Sequence, residues 1–370
     1  MRRLTVVQLL PALHAGGVER STLEIAAALV RAGHRAVVVS AGGRLVPELL
    51  ESGAEHLTLD IGRKSPLTLR QVPVLRRHLA GLGADIVHAR SRLPAWIGGW
   101  ALRGLPAPRR PRFVTTVHGL NSPGRYSAIM TRGERVICVS QTVRDYVLAR
   151  YPALDPARLR VIPRGIDLAQ FPRRGLPDPG ARAWAATQAP ALAGDGPWLL
   201  LPGRGTRLKG HADGLRLLAG LRAGGLDARL WLPGAVEPGR EAYLRELQQE
   251  ATRLGVAAAV AFTPATARIA EAYAACDLVL QLSRKPEAFG RTVIEALAVG
   301  RPVLGWAHGG VGELLGQLQP AGAVAPFAQD ALLDRARAVL SAPPPPPSDI
   351  PYTLRAMQQA TLAVYDELSR

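Results

Sequence analysis

The chain has 370 residues, of which 48% are hydrophobic, and it carries a formal net charge of +17; that length predicts two domains, each with an ordinary core. Two cysteines, Cys138 and Cys276, lie in apolar runs, which excludes a disulfide framework and indicates a reducing compartment. No apolar run reaches the ~18 residues of a membrane span, and the N-terminal run lacks the features of a secretory leader, so we expect a cytoplasmic protein, soluble or peripheral on the inner face of the membrane.

The N-terminal half alternates short apolar strands with helical stretches, which is typical of a parallel sheet covered on both faces. A Gly-rich turn at residues 15–17 follows the first strand and precedes a helix. We assign residues 1–172 to an N-terminal Rossmann-like domain. Its strand candidates are residues 4–10, 35–41, 84–90, 112–119, 135–141 and 158–167.

A run rich in Pro, Gly and charge at residues 171–184 predicts a linker, which we place at 173–195. The alternation then restarts, so residues 196–342 form a second Rossmann-like domain. Residues 343–370 comprise a proline spacer and an amphipathic helix. Two such domains predict a ligand between them, at the carboxyl ends of the strands. The second set of strand candidates is residues 197–205, 228–234, 260–264, 276–283 and 301–307.

The run KPEAFGRTVIEALAVGRPVLG at residues 285–305 places Glu287 and Glu295 eight residues apart, around a turn and a helix start. Amides at a helix N-terminus bind phosphate or a sugar hydroxyl, Glu295 can accept two hydrogen bonds from a ribose diol, and Glu287 can face the sugar. The structural alternative is that Glu287 caps the helix and Glu295 is solvated. The surrounding pattern favours a functional site for a phosphate, a ribose and a sugar, which we call the donor site. We assign to it the turn and first helical residues Phe289, Gly290, Arg291 and Thr292.

A second motif, LLLPGRGTRLKGHADGLRLLAG at residues 199–220, joins a strand to a helix through a loop that carries Arg204 and Lys209. Two cations directed at one point can neutralise a diphosphate without a metal. The chain has only three lysines, and one falls here, which disfavours two incidental surface cations. We predict that Gly203, Arg204 and Lys209 bind the donor.

Two weaker signals lie in the N-terminal half. Gly16 and Gly17 precede a helix, where glycine permits close approach of the backbone to a phosphate or sugar. His118 ends a strand, where imidazole can hydrogen-bond the donor sugar or orient the acceptor. Turn glycines and lone strand-end histidines are commonly structural, so both signals depend on position alone. The G-x-G-x-x-G dinucleotide fingerprint is absent, which argues against a dehydrogenase.

These motifs resemble those of retaining glycosyltransferases with the GT-B fold, particularly glycosyltransferase family 4. Residues 285–305 are similar to the family's E-x7-E region, with Ala288 in place of the usual glycine. Gly203–Gly210 is similar to G-R-x-x-x-x-K-G. Family members similarly carry a histidine where His118 lies and a G-G-x-E/Q-R loop where Gly16 and Gly17 lie. Weaker matches are Gly309, Gly310 and Glu313 in HGGVGELL, and VIPRGIDLAQF at 161–171, where Arg164 replaces the usual Asn.

The resemblance implies an α/β GT-B fold with two Rossmann-like domains facing a central cleft. It implies that the N-terminal domain binds the acceptor, the C-terminal domain binds a nucleotide sugar, and the last helix returns to the N-terminal domain. It also implies transfer with retention, without a metal or any cofactor beyond the nucleotide sugar as co-substrate. The leaving phosphate would take the acceptor proton in a front-face route. The catalytic residues implied are Glu287, His118, Arg204 and Lys209.

The subgroup resembles bacterial enzymes that build lipopolysaccharide and other envelope glycans, which points to a UDP-sugar donor and a glycan or glycolipid acceptor such as lipopolysaccharide core. Residues 1–172 hold 25 Lys+Arg and 11 Asp+Glu, a net +14 of the total +17. That excess indicates either an anionic partner, such as a membrane surface, or compositional drift in an arginine-rich chain, and both interpretations stay open.

Three alternatives belong to other classes of protein. A nucleotide-sugar epimerase of the same fold needs several carboxylates and histidines around the sugar, and this chain offers few. A nucleic-acid-binding protein would interleave its basic residues with aromatics, which make up only 5% of the chain and form no such motif, so we expect no nucleic-acid partner. A non-catalytic binder of sugar nucleotides stays open until turnover is measured.

Overall fold

The computed structural model describes residues 2–14, 16–175 and 178–370 and divides into two compact units. The first contains the residues up to Arg164 together with Leu354–Arg370, and the second is Gly165–Thr353. The division therefore falls at Arg164 rather than at residue 172. Ala15 of the predicted Gly-rich turn and residues 176–177 of the predicted linker lie outside the described residues.

The first unit is built on a parallel seven-stranded sheet of order β3-β2-β1-β4-β5-β6-β7. Six strands confirm the sequence candidates. The strand not predicted is β3, at one edge of the sheet, which has exposed residues at both ends and no apolar run. The strands are β1 (Thr5–Leu9), β2 (Arg35–Ser40), β3 (Glu55–Thr58), β4 (Ile86–Ala89), β5 (Arg112–Val117), β6 (Arg135–Cys138) and β7 (Leu159–Val161).

The second unit repeats this plan with a parallel six-stranded sheet of order β10-β9-β8-β11-β12-β13. Only the two-residue edge strand β13 had no sequence candidate, because two residues show no periodicity. The two parallel α/β sheets confirm the predicted fold class. The strands are β8 (Trp198–Leu200), β9 (Arg229–Pro233), β10 (Val260–Thr263), β11 (Leu278–Gln281), β12 (Val303–Trp306) and β13 (Ala323–Val324).

Helices connect the strands and cover the sheets, as parallel pairing requires. The segment predicted as a linker contains a helix of the second unit, α6. The helices are α1 (Gly17–Arg31), α2 (Val46–Glu51), α3 (Gln71–Leu82), α4 (Arg92–Arg103), α5 (Gln141–Arg150), α6 (Pro179–Ala186), α7 (His211–Ala223), α8 (Glu241–Arg253), α9 (Ile269–Ala275), α10 (Arg291–Val299), α11 (Gly309–Leu318), α12 (Gln329–Ser341) and α13 (Leu354–Ser369).

The last helix, α13, belongs to the first unit. Its Gln358 amide donates to the backbone oxygen of Glu24 in α1 at 2.8 Å. Tyr365 is fully buried, and its hydroxyl lies 2.6 Å from the Nδ1 of His88 in β4. The helix therefore completes the core of the first unit.

Each sheet has a point at which the strand order reverses, between β1 and β4 in the first unit and between β8 and β11 in the second. The loops that leave the carboxyl ends of two such strands diverge and open a crevice, the usual ligand position in open α/β sheets. The predicted site residues lie on these loops and their neighbours. Across the described ranges, none of the helices is both long and apolar enough to cross a bilayer.

Candidate functional site

The loop after β8 is shaped by glycine. The Gly203 amide donates to the backbone oxygen of Pro233 at the end of β9, at 3.0 Å. A Cβ on Gly203 would stand 3.2 Å from the aliphatic chain of Lys209, so glycine lets the lysine cross the loop. Gly210 adopts a left-handed conformation (φ 75°) and is the N-cap of α7. The sequence thus directs the Lys209 ammonium towards the carboxyl end of β11.

Glu287 is the centre of a polar cluster at that end of β11. Its Oε1 accepts from the Lys209 ammonium at 2.6 Å and from the Ser283 hydroxyl at 2.5 Å. Its Oε2 accepts from the Gln281 amide at 3.3 Å. The backbone oxygen of Glu287 accepts from the Gly310 amide at 2.7 Å. Three side-chain donors therefore fix the carboxylate, and the Gly310 contact fixes the backbone of the same residue.

The other residues of the predicted donor site form the start of α10. Gly290, in a left-handed conformation (φ 104°), is the N-cap, and no side chain of the described residues caps the helix. The alternative in which Glu287 caps this helix is wrong, because its carboxylate contacts the Lys209 cluster instead. Phe289 is buried, while Thr292 is half-buried. The first turn of α10 is therefore a helix N-terminus without a side-chain cap, suited to an anion.

Glu295 lies one turn into α10, and its carboxylate contacts Tyr273 and Arg291. Its Oε2 accepts from the Tyr273 hydroxyl at 2.9 Å, and its Oε1 lies 3.3 Å from the Arg291 Nε. Burial, and then the Glu295 charge, raise the pKa of Tyr273 well above its ordinary value, so the phenol stays a donor. Glu295 is not the solvated residue of the alternative, since its side chain is only 15% exposed.

Arg204 stands apart from this cluster. Its side chain is exposed, and no carboxylate of the described ranges forms an ion pair with it. Its backbone oxygen accepts from the Thr206 amide at 2.7 Å. The structure thus brings Lys209 and Glu287 together and leaves the Arg204 guanidinium open to solvent.

In the first unit, Gly16 (φ 143°) is the N-cap of α1, Gly17 is its first residue, and both are exposed. His118 follows β5, and its Nδ1 accepts from the Arg164 guanidinium. Burial first, and then the charges of Arg164 and Arg90, lower the pKa of His118 well below its ordinary value. His118 is therefore a neutral imidazole.

Several polar residues of these clusters carried no role in the sequence analysis: Gln281, Ser283, Tyr273, Arg90 and Ser21. Gln281 and Ser283 are each only 4% exposed. A polar residue at the end of an apolar strand was the available signal for Gln281. Arg90 and Ser21 are 69 residues apart in the chain but hydrogen-bonded at 2.6 Å, and no local pattern reports such a contact.

Two protein families match the chain in succession. Residues 15–170 match the family described as Glycosyltransferase Family 4, and residues 184–353 match the family described as Glycosyl transferases group 1. The two matches follow the two parallel-sheet units and confirm the resemblance found in the motifs. The chain belongs to the GT-B glycosyltransferases of the family 4 type.

Individual relatives agree with this assignment. The chain is 30% identical over 246 residues to D-inositol 3-phosphate glycosyltransferase 1 of Catenulispora acidiphila, covering 61% of this chain and 57% of that protein. It spans about half the length of the curated relatives it matches. A glycosyltransferase from Rickettsia africae ESF-5 is similar with a TM-score of 0.86 at 25% identity, over 100% of this chain and 99% of that one.

A third relative shares the fold. The structure of Anabaena Alr3699/HepE in complex with UDP and glucose matches with a TM-score of 0.77 at 21% identity, over 99% of this chain and 97% of that one. The similarity covers both units of the chain.

Proposed function

We propose that this protein is a retaining glycosyltransferase that moves a sugar from a UDP-sugar to a cell-envelope glycan or glycolipid, such as lipopolysaccharide core. The second unit binds the donor, and the first binds the acceptor. The observation that carries the proposal is the Lys209–Glu287 pair, which joins the loops after β8 and β11 where the strand order reverses. The UDP-bound Anabaena relative supports the choice of donor.

Each residue of the donor site has a distinct task in this proposal. Lys209 has three donor hydrogens, so it can keep its bond to Glu287 and still bind a diphosphate oxygen. Arg204 is free to reach the same diphosphate. The uncapped start of α10 contributes backbone amides. Together they stabilise the charge that builds on the leaving phosphate as the bond to the anomeric carbon breaks.

The fixed carboxylate of Glu287 has a second task. The transition state at the anomeric carbon resembles an oxocarbenium ion, and a carboxylate beside the sugar favours that positive charge. Because Ser283, Gln281 and Lys209 hold Glu287, its orientation is set before the donor arrives. The leaving phosphate takes the acceptor proton, and no enzymic base is needed.

A panel of nucleotide sugars tests the donor half of the proposal. A nucleotide sugar that binds the folded but not the unfolded protein raises the unfolding temperature. At a concentration of 100 times its Kd, it adds about 2.7 kcal/mol to the free energy of unfolding. We expect a UDP-sugar to give the largest shift and UMP, which lacks the diphosphate, to give a much smaller one. Equal shifts with UMP and the UDP-sugars would contradict a diphosphate site, and no shift with any nucleotide sugar would contradict the function.

We expect transfer to retain the anomeric configuration and to need no metal. Within the described ranges, no three His, Cys, Asp or Glu side chains gather as metal ligands, while Lys209 and Arg204 supply positive charge. Proton NMR of the first product gives its anomeric configuration, and the same reaction is run with excess EDTA. An inverted product, or activity lost in EDTA and restored by Mn²⁺, would refute this part of the proposal.

The first unit carries a basic and apolar surface that supports a membrane-bound acceptor. Leu67 and Leu69 are 60% and 50% exposed in a short turn. Exposed Arg63, Lys64 and Arg70 flank them. Apolar tips among cations fit an anionic bilayer surface, which attracts each basic residue by about 1 kcal/mol.

A second basic segment begins at the end of α4, which packs against α3. Arg103, Arg109 and Arg110 are exposed there. Three arginines of this surface are engaged within the protein. Arg76 donates to the Ala101 backbone oxygen, Arg110 donates to the Leu105 backbone oxygen at 3.1 Å, and Arg112 pairs with Glu134 at 2.9 Å. The exposed cations that flank Leu67 and Leu69 are therefore the ones to change in an experiment.

Co-sedimentation with liposomes tests the membrane proposal. We expect binding that requires anionic lipid, falls with added salt, and weakens when Arg63, Lys64 and Arg70 are changed to serine. Changing the exposed Arg240 and Arg245 of the second unit to serine is the matched control and should leave binding intact. A protein that stays in the supernatant at low salt would indicate compositional drift. A soluble acceptor, such as the inositol phosphate in the name of the Catenulispora relative, would then be preferred.

A further inference from the structure

A chain of hydrogen bonds runs through the interior of the first unit and ends at His118. Arg90 donates to the Gln8 side-chain oxygen and to the Ser21 hydroxyl, both at 2.6 Å. Arg164 also donates to the Ser21 hydroxyl and, through its other terminal nitrogen, to the Nδ1 of His118. Gln8, Ser21, Arg90 and Arg164 are all at least nine-tenths buried. The Arg164 guanidinium is therefore fixed at both of its ends.

Because a guanidinium only donates hydrogen bonds, Arg164 determines the tautomer of the His118 imidazole. Arginine has only donors and stays charged in proteins, so the Nδ1 of His118 must be the acceptor. A neutral imidazole that accepts at Nδ1 carries its hydrogen at Nε2. A doubly protonated ring has no lone pair left for Arg164. The contact is thus compatible with one protonation state of His118.

The charges around His118 act in the same direction. Arg164 approaches from the segment after β7, Arg90 from the end of β4, and His88 from β4 itself. His88 is itself neutral, because burial, followed by the charges of Arg90 and Arg164, lowers its pKa well below the ordinary value. Two fixed positive charges and a buried site therefore oppose protonation of His118.

The Nε2 of His118 is the last atom of this series of hydrogen bonds. It is buried and has no hydrogen-bond partner among the described residues. A buried donor without a partner costs about 1–3 kcal/mol. A ligand oxygen that accepts from Nε2 would recover that free energy.

We infer that Arg164 is a positioning residue that holds His118 as the neutral tautomer with its hydrogen on Nε2. His118 then acts on a substrate oxygen as a hydrogen-bond donor and not as a base. The inference rests on the proposed function, because only there does His118 meet a substrate. It also accounts for arginine at position 164, where the family pattern has asparagine.

NMR of the 370-residue protein labelled with ¹⁵N-histidine tests this without any substrate. Multiple-bond ¹H–¹⁵N spectra distinguish a protonated ring nitrogen from a bare one, and the signal missing in His118→Gln identifies His118. We expect hydrogen on Nε2 and a bare Nδ1, unchanged from about pH 8 to 5.5, a range in which an ordinary histidine titrates. Hydrogen on Nδ1, or titration near the ordinary pKa, would overturn the inference.

Variants of Arg164 separate positioning from folding. Arg164→Met removes the donor and the charge, so we expect mixed tautomers and protonation of His118 at higher pH than in the wild type. Arg164→Lys keeps a charged donor and should restore the wild-type signal even if Arg164→Met is too unstable to study. Arg150→Gln, an exposed arginine of α5, is the control and should leave the signal unchanged. A wild-type spectrum in Arg164→Met would overturn the inference.

Turnover gives the second readout. In Arg164→Met the acid limb of the pH profile of kcat/KM should move to higher pH. The loss of kcat/KM on the plateau should be smaller than the loss on the acid limb. A uniform loss at every pH would indicate a merely structural role and contradict positioning. Because the NMR experiment needs no nucleotide sugar, its result stays informative if sugar transfer itself is not found.

Discussion

Replacing Lys209 with alanine should lower kcat by about 10²–10³, the loss typical of removing one donor from a developing negative charge. Loss of a charge-assisted contact to phosphate should weaken donor binding by about 1.5–3 kcal/mol as well. The fold should survive. The Lys209 and Glu287 side chains are 29% and 24% exposed, and a partly solvated pair contributes roughly 0–1 kcal/mol to stability.

Arg204→Ala should lower kcat and donor binding by amounts similar to those for Lys209→Ala. Its interpretation is simpler, since Arg204 has no ion pair to lose among the described residues. Its entire effect should appear in donor binding and turnover. Arg207→Ala provides the matched control. Arg207 lies in the same loop, but it is exposed and bonds Glu246 of α8 at 2.5 Å. Steady-state kinetics and circular dichroism of the three purified variants make the comparison.

The contrast between these variants decides the diphosphate assignment. Near-normal turnover in Lys209→Ala or Arg204→Ala would contradict it. Equal losses in Arg207→Ala would show that the loop is sensitive to any change of charge, and the specific roles would then be withdrawn.

Gly210→Ala should be among the most destabilising single methyl additions in the second unit. The residue has φ 75°, and an added Cβ would stand 2.0 Å from the backbone oxygen of Leu282. The left-handed conformation alone costs about 1–2 kcal/mol for a side chain. The contact with a backbone atom cannot be relieved by a rotamer change, so the loop must move away from the segment after β11. We expect a lower urea midpoint and, because Lys209 is adjacent, lower turnover.

Gly225→Ala separates the two causes of the lower stability of Gly210→Ala, which are the left-handed conformation and the contact with Leu282. Gly225 has a similar φ of 86°, but nothing lies within 4 Å of its would-be Cβ. This variant should therefore show only the conformational cost, about 1–2 kcal/mol. Urea unfolding of both variants under one set of conditions gives the comparison. Equal midpoints would mean that the Leu282 contact is easily accommodated.

Most of the fold could be predicted from the sequence because its strands are buried on both faces. Such strands are continuous apolar runs that stand out between helices and turns. Two of the four edge strands, β3 and β13, could not be predicted. Glu55–Thr58 has polar residues at both ends, and Ala323–Val324 is too short to show a period. Strands as short or as polar as these two are held by pairing with a neighbour, a long-range property that no local window contains.

The candidate donor site was predicted as a set of residues but not as a geometry. Spacing singled out Lys209 and Glu287 as candidates, yet their direct contact joins residues 78 positions apart. A polar residue inside an apolar strand would have been a more useful signal. Gln281 ends LVLQ and contacts Glu287, and Gln8 lies within TVVQL and contacts Arg90. A buried amide needs partners, so such residues mark where a polar cluster is built.

The position of α13 has a consequence for how the protein is made. Leu354–Arg370 complete the core of the first unit, yet the ribosome synthesises them after the whole of the second unit. Domains usually fold in the order in which they are translated. Here the nascent first unit lacks Tyr365 and the Gln358 contact to Glu24, while Gly165–Thr353 is already complete. The second unit can therefore reach its native state first, although it begins later in the chain.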